Sequence, residues 1–265
     1  MSPEDLLEHH DSARLWPVEP GNSGLQDVPA AYQRALAVRA LRMARGEQPR
    51  GYKVGFTNRG IWQRYNVFAP IWGTIWNTSL SFCEGEGDVA LADTCQPRIE
   101  PEVVFCMRAT PPQKASLDDL FACVDWVATG FEIVQSHQAG WKFAAPDAVA
   151  DGGLHARLLV GPRMAAAGLA KDAQAFGLAL AGAGVTLSCN GKPMDRGTGA
   201  NVLGDPLQAL LYFLQELRAC PGAVDLQPGD VITTGTWTDA WPVAPGEQWV
   251  AAFDAPLAGP KVTFA

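Results

Sequence analysis

The chain has 265 residues, 48% of them hydrophobic and 18% charged, a balance that supports a large buried core and argues against a disordered or membrane-embedded polypeptide. Twenty lysines and arginines against 28 aspartates and glutamates give a net charge of -8, and no basic run is long enough to track a phosphate backbone, so nucleic acid is not an expected partner. Cys83, Cys95, Cys106, Cys123, Cys189 and Cys220 lie far apart without a Cys-x-x-Cys pair, which suggests neither a zinc knuckle nor a disulfide framework. Glu4, Asp5 and Glu8 stand where a signal peptide would need positive charge, and no apolar run reaches transmembrane length, so a reducing cytoplasm is the expected location.

In chain order, Pro3 to Leu15 is predicted to form a first helix and Asp27 to Arg45 a second. Asp27 supplies the N-cap of the second, Pro29 is tolerated in its first turn, and Gly46 falls just past its end. Gly51 to Asn58, GYKVGFTN, reads as a short strand that sets Lys53 among apolar neighbours, between glycines that allow close approach of a small ligand. A snorkelling surface lysine is the competing reading. Trp62, Trp72 and Trp76 follow in a Gly- and Pro-punctuated stretch, either as core or as the apolar side of a pocket. The nearest thing to a domain boundary lies before Asn77. It divides a helical and β N-terminal part, residues 1–76, which contributes Lys53, from residues 77–265.

The stretch Pro97 to Phe105, PRIEPEVVF, carries two carboxylates two residues apart in a run that reads as a strand, so Glu100 and Glu102 project from one face. Their neighbours Ile99, Val103, Val104 and Phe105 are apolar, and unpaired negative charge there is expensive. A hard divalent ion with oxygen ligands is one answer and an arginine or lysine partner is the other. Ser116 to Trp126 is predicted helical, leading into Val127 to His137, where Glu132 sits inside GFEIV. Three glutamates embedded in apolar β-like segments form a stronger metal signal than any one alone, because an ion offsets their mutual repulsion. His155 follows a Gly-Gly turn and reads either as a proton carrier or as a hydrogen-bonded structural histidine. Lys171 to Leu180 reads equally as helix or strand approach. Asn190-Gly191 predicts a hairpin between Val185 to Cys189 and the segment from Pro193, and Pro206 to Leu217 a helix capped by Asp205. Arg196 to Pro206 is glycine-rich but lacks both Gly-Lys-Ser/Thr and a Rossmann spacing, so it is no nucleotide loop. Leu226 to Gly235, Trp249 to Phe253 and Lys261 to Phe264 end the chain as strands.

YKVG around Lys53, APIWGT (Ala69 to Thr74), PRIEPEVVF, GFEIV, DAVAD (Asp147 to Asp151), GTGANVLGDP and QPGDVITTGT (Gln227 to Thr236) share order and similar spacing with one family. From about Gly51 onward the chain resembles the 2-keto-4-pentenoate hydratase and 4-oxalocrotonate decarboxylase family, a branch of the fumarylacetoacetate hydrolase superfamily. The resemblance implies an α+β fold, with a mixed β-roll core, peripheral helices and a smaller N-terminal helical part. It implies Mg²⁺ or Mn²⁺ held by Glu100, Glu102 and Glu132, and an essential lysine at Lys53. A 2-oxo acid chelates such an ion through its carboxylate and keto oxygens, and the ion stabilises the enolate.

Hydratases of this family commonly carry an acid two residues before the glycine of the segment matching Pro70 to Gly73, where this chain has Ile71. After Asp151 they commonly continue with Asn and a small residue, where this chain has Gly152, Gly153, Leu154 and His155. The candidate catalytic residues are therefore Lys53, His155 and Asp151, with Trp72 and Arg157 as candidate substrate contacts and Arg98 as the other source of a positive pocket. Trp237 and Trp241 would join Trp72 in suiting an apolar tail. The expected activity is a metal-dependent lyase acting on a 2-oxo acid, first a 2-hydroxydienoate hydratase of aromatic degradation. The alternatives are an oxalocrotonate-type decarboxylase, an acylpyruvate C–C hydrolase, and a non-catalytic partner subunit. A homo-oligomer, or association with a related enzyme, is expected from the same resemblance.

Overall fold

The computed structural model describes residues 1–25 and 27–265. In chain order it contains helices α1 (Pro3–Ser12) and α2 (Val28–Ala44), strand β1 (Pro49–Gly55), the single turn α3 (Trp62–Tyr65), and strands β2 (Ile71–Trp76), β3 (Leu80–Phe82), β4 (Glu86–Val89) and β5 (Arg98–Met107). Helix α4 (Leu117–Cys123), strand β6 (Val124–Val134), helix α5 (Ala145–Ala150), strand β7 (His155–Ala165) and helices α6 (Ala166–Leu169) and α7 (Ala173–Gly182) follow. The hairpin β8 (Gly184–Cys189) and β9 (Lys192–Thr198), helix α8 (Pro206–Ala219), and strands β10 (Val231–Thr236), β11 (Trp241–Pro242), β12 (Gln248–Phe253) and β13 (Lys261–Phe264) complete the chain.

The strands build two mixed sheets, the α+β arrangement expected. One runs β2-β1-β10-β5-β6-β7-β3, with β11 joining β5, and the other runs β4-β13-β12-β8-β9. In the larger sheet β1 lies parallel to β10 and antiparallel to β2, while β5, β6 and β7 pair antiparallel in turn. Strands β1 and β2 share the larger sheet with β10 and β5, and Lys53 is carried by that sheet.

Helices pack on these sheets by their apolar faces. Helix α8 begins where the Asp205 carboxylate accepts the Gln208 N–H at 2.8 Å, and it buries Leu207, Leu210, Phe213, Leu214 and Leu217. Each such side chain contributes about 1.5–3 kcal/mol of transfer free energy. Two expected boundaries move. Helix α1 stops at Ser12 because Ala13 turns left-handed and sends its N–H back to His9 and His10. Helix α4 stops at Cys123, since the residues from Val124 to Trp126 join β6 and pair with β5 and β7. The ambiguous segment is helix α7, capped by Asp172. Asn190 and Gly191 both have positive φ, as the two-residue hairpin turn requires. Among the described residues no helix is long and apolar enough to cross a membrane.

Candidate metal centre

The antiparallel register of β5 and β6 sets Glu100 directly opposite Glu132, and the two-residue period of β5 brings Glu102 to the same face. One carboxylate oxygen from each lies within 4.8 Å of the others. Glu102 and Glu132 are fully buried, and Glu100 is partly so. Strand β1 brings in Lys53, whose Nζ is 3.3 Å from Glu132 Oε2 and donates to the Gly153 carbonyl at 2.8 Å. That contact depends on Gly73, the β2 residue opposite Lys53: a Cβ there would meet the Gly152 carbonyl oxygen at 1.8 Å, so only glycine lets the Gly152–Gly153 turn lie against the strand. Gly235, with φ +104, turns β10 so that its N–H donates to Glu102 Oε2 at 2.7 Å.

Burial pushes the Glu100 carboxyl up to about 7 against the pull of Lys53. Burial, reinforced by Glu132 and Glu100, pushes Glu102 well above the ordinary carboxylate range. Burial also acts upward on Glu132, yet Lys53 and the hydrogen bond from His155 hold that carboxyl below its ordinary value. Lys53 is raised, because its three acidic neighbours outweigh the burial that opposes its charge. Glu102 Oε1 and Glu132 Oε2 are buried with no hydrogen-bond partner. Three carboxylates facing one ammonium leave negative charge and oxygen lone pairs uncompensated, a donor set that fits a hard divalent cation.

A cavity of about 390 Å³ opens beside these groups, bordered by Lys53, Glu100 and Glu102. Phe56, Tyr65, Phe143 and Trp141 form an aromatic wall on it, with Phe56 and Tyr65 4.9 Å and Tyr65 and Phe143 5.4 Å apart between ring centroids. Arg98 borders it too, its guanidinium 4.2 Å from the Trp141 ring centroid. Phe56 and Leu154 hold left-handed φ angles, of 58° and 68°, on this wall, which is local backbone strain at the cavity.

The structure thus gathers Lys53, Glu100, Glu102 and Glu132, and it engages the other four expected residues with partners inside the protein. Asp151 faces away from the cavity, accepting the His137 backbone N–H at 2.9 Å and contacting His137 Nδ1 at 2.6 Å. His155 has both ring nitrogens engaged inside the protein, Nδ1 on Glu132 at 2.8 Å and Nε2 on Ser79 at 2.8 Å, so it has no nitrogen free to carry a proton to substrate. Trp72 is packed between Tyr32, stacked at 4.5 Å, and the edge of Tyr52, where it serves as core. Arg157 turns its guanidinium to the carbonyls of Ala156 and Ala92. Trp237 does border the cavity, whereas the Trp241 indole is tied to Asp195. Sequence reasoning missed Ser79, Gly235 and the aromatics after Gly55. The available signal was a run of glycine-flanked polar residues in TTGT, read as a strand end and as part of the family pattern but not as a site.

Acids from neighbouring strands, pooled at the end of a curled mixed sheet beside one lysine, define a divalent-metal enzyme. The family model described as fumarylacetoacetate (FAA) hydrolase C-terminal matches residues 68–257, and the chain belongs to that family. A 2-hydroxyhexa-2,4-dienoate hydratase of Comamonas testosteroni is 29% identical over 246 residues, covering 92% of this chain and 89% of the relative. A 4-oxalocrotonate decarboxylase of a Pseudomonas species is 31% identical over 217 residues, covering 82% and 78%. The solved structure of 4-oxalocrotonate decarboxylase from Pseudomonas putida G7, complexed with magnesium and adipate, matches with a TM-score of 0.87 at 25% identity, over 99% of this chain and 95% of that one. Hydratases and decarboxylases are both lyases, and the chain is an enzyme of that class.

Proposed function

We propose that this chain is a divalent-metal-dependent lyase acting on a 2-oxo acid or its enol, and that decarboxylation of an oxalocrotonate-type diacid is the reaction its cavity supports best. The observation that carries this is the environment of the Lys53 amine. Ile71 lines the same cavity as Lys53, so an apolar side chain stands where hydratases of this family commonly carry an acid that would help activate water. Decarboxylation needs no activated water. It needs an electron sink and a grip on two carboxylates.

Glu100, Glu102 and Glu132 would hold Mg²⁺ or Mn²⁺, which when bound supplies Lewis-acid polarisation of the 2-oxo oxygen. Arg98 and Arg64, both on the cavity wall, provide counter-charge for the distal carboxylate. When the bond to that carboxylate breaks, CO₂ leaves and the electron pair runs along the conjugated chain to the 2-oxo oxygen. Lys53, kept protonated by its acidic neighbours, donates a hydrogen bond or its proton there. The aromatic wall of Phe56, Tyr65 and Phe143 excludes water from the planar chain between the two ends.

Hydration of a 2-hydroxydienoate is the second reading, favoured by the hydratase that aligns with 92% of the chain. Acylpyruvate hydrolysis is disfavoured by Ile71 for the same reason as hydration. A cytoplasmic homo-oligomer is the setting we propose, in keeping with six free cysteines. The test is incubation with Mg²⁺ and oxalocrotonate, a 2-hydroxydienoate or an acylpyruvate, following ultraviolet absorbance and CO₂ release. CO₂ from oxalocrotonate is the expected result. Consumption of the dienoate without CO₂ from oxalocrotonate would establish the hydratase, and silence across the panel would leave the partner-subunit reading.

A further inference from the structure

We propose that His155, fixed by Ser79, is a positioning residue that decides which oxygen of Glu132 is offered to the cation. The inference rests on the three glutamates forming a metal centre, and it concerns how this chain aims one of them. Glu132 Oε1 accepts from His155 Nδ1 at 2.8 Å, which leaves Oε2 as the oxygen without a hydrogen-bond partner, 3.3 Å from Lys53 Nζ. A carboxylate with one oxygen committed can turn neither its plane nor its second oxygen without losing that bond.

His155 can hold Oε1 only with hydrogen on Nδ1, and in the neutral ring the partner of the other nitrogen settles that tautomer. Nε2 is 2.8 Å from Ser79 Oγ. The hydroxyl has one proton, accepts the Trp76 N–H at 3.1 Å and has two acceptors in reach, Nε2 at 2.8 Å and the Trp76 carbonyl at 3.2 Å; its proton on the shorter contact makes Nε2 an acceptor and Nδ1 the donor. Ser79 is itself fixed from both sides. Its N–H bonds to the Trp76 carbonyl at 3.0 Å in the turn between β2 and β3, and its carbonyl accepts the Leu158 N–H of β7 at 2.7 Å. The strand that carries His155 therefore also anchors the turn that carries Ser79. The chain Ser79, His155, Glu132 is buried throughout.

Manganese binding reads this without turnover. Mn²⁺ affinity is measured by electron paramagnetic resonance for the wild type, Ser79→Ala, His155→Asn, His155→Leu, the double variant Ser79→Ala with His155→Asn, and Glu132→Gln as reference. The Asn amide nitrogen falls where Nδ1 stands, so His155→Asn should bind close to wild type, and His155→Leu should bind about 10–100-fold more weakly. Ser79→Ala should weaken binding in the wild-type background and have no further effect beside His155→Asn, where there is no imidazole to orient. In the apoprotein, ¹⁵N spectra should show a neutral His155 with hydrogen on Nδ1, and Ser79→Ala should mix the tautomers. Equal affinity for His155→Leu and wild type, or an equal Ser79→Ala penalty in both backgrounds, overturns the proposal while leaving the metal centre standing. If His155→Leu does not fold, the Ser79–His155 cycle decides alone. Wild-type affinity in Glu132→Gln, or no Mn²⁺ binding by the wild type, overturns the metal centre itself.

Discussion

Among the described residues Lys53 is the one lysine or arginine paired with the three buried glutamates, and its role divides between folding and chemistry. Removing it leaves buried carboxylates without a counter-charge, which is more damaging than never having placed the pair at all. Lys53→Met should therefore lower the stability of the metal-free protein by about 3–5 kcal/mol. Added Mg²⁺ should restore part of that loss, as thermal melts with and without the ion would show. Turnover should fall about 10²–10⁴-fold whatever the metal content, since a positioned proton donor contributes on that scale. A melt unchanged in Lys53→Met would mean that the acids are neutral without the lysine. Glu132→Gln should keep the fold yet lose metal retention, measurable by elemental analysis after gel filtration. These residues were legible because acids and a lysine stood inside apolar β-like runs. His155 was legible as a residue of interest but not in its role, because nothing near it in the sequence says that Ser79, 76 positions earlier, meets its ring.

Strands and turns place the site through register. The pairing of Glu100 with Glu132 follows from β5 and β6 aligning so that Phe105 meets Val127 and Ile99 meets Ile133, a match of apolar residues that a one-residue slip would turn inside out. The Gly152–Gly153 turn is a second such device, seated on β2 at Gly73. Gly73→Ala drives a Cβ into the Gly152 carbonyl and should displace that turn from Lys53. The expected outcome is a loss of more than about 2 kcal/mol in stability by urea unfolding, with weaker substrate binding in whatever protein remains folded. Full stability in that variant would show that the turn has room to retreat. Element types were readable from caps and periodicity, as Asp27, Ser116 and Asp205 show. The end of α4 was not, because the helix-compatible Val124 to Trp126 is claimed by sheet pairing.

Across the molecule, α1 and α2 are tied to each other and to the start of the sheet by an ion network. Arg42 donates to Glu47 at 2.8 Å, and Arg45 pairs with both Asp11 and Glu47. Burial opposes the Glu47 charge, but Arg42 and Arg45 together hold its carboxyl below the ordinary value of 4.5. A carboxyl lowered on folding stabilises above its unfolded value, and that stability is lost as pH falls through the folded one. Thermal stability should accordingly drop as pH is lowered from about 4.5, and Glu47→Gln should flatten that limb while lowering stability at neutral pH. An unchanged acid limb in the variant would assign the drop to other carboxylates. The sequence by itself determined the α+β class, the family pattern and the three buried acids that the sheet gathers, because alternation, turn residues and acids in apolar strands are local signals. Only the tertiary structure showed that Asp151 bonds His137, Trp72 packs on Tyr32, Arg157 turns to backbone carbonyls and His155 bonds Glu132. Side-chain direction at the end of a strand depends on what packs against it, and those neighbours, Ser79, His137, Tyr32 and Ala92, come from distant parts of the chain.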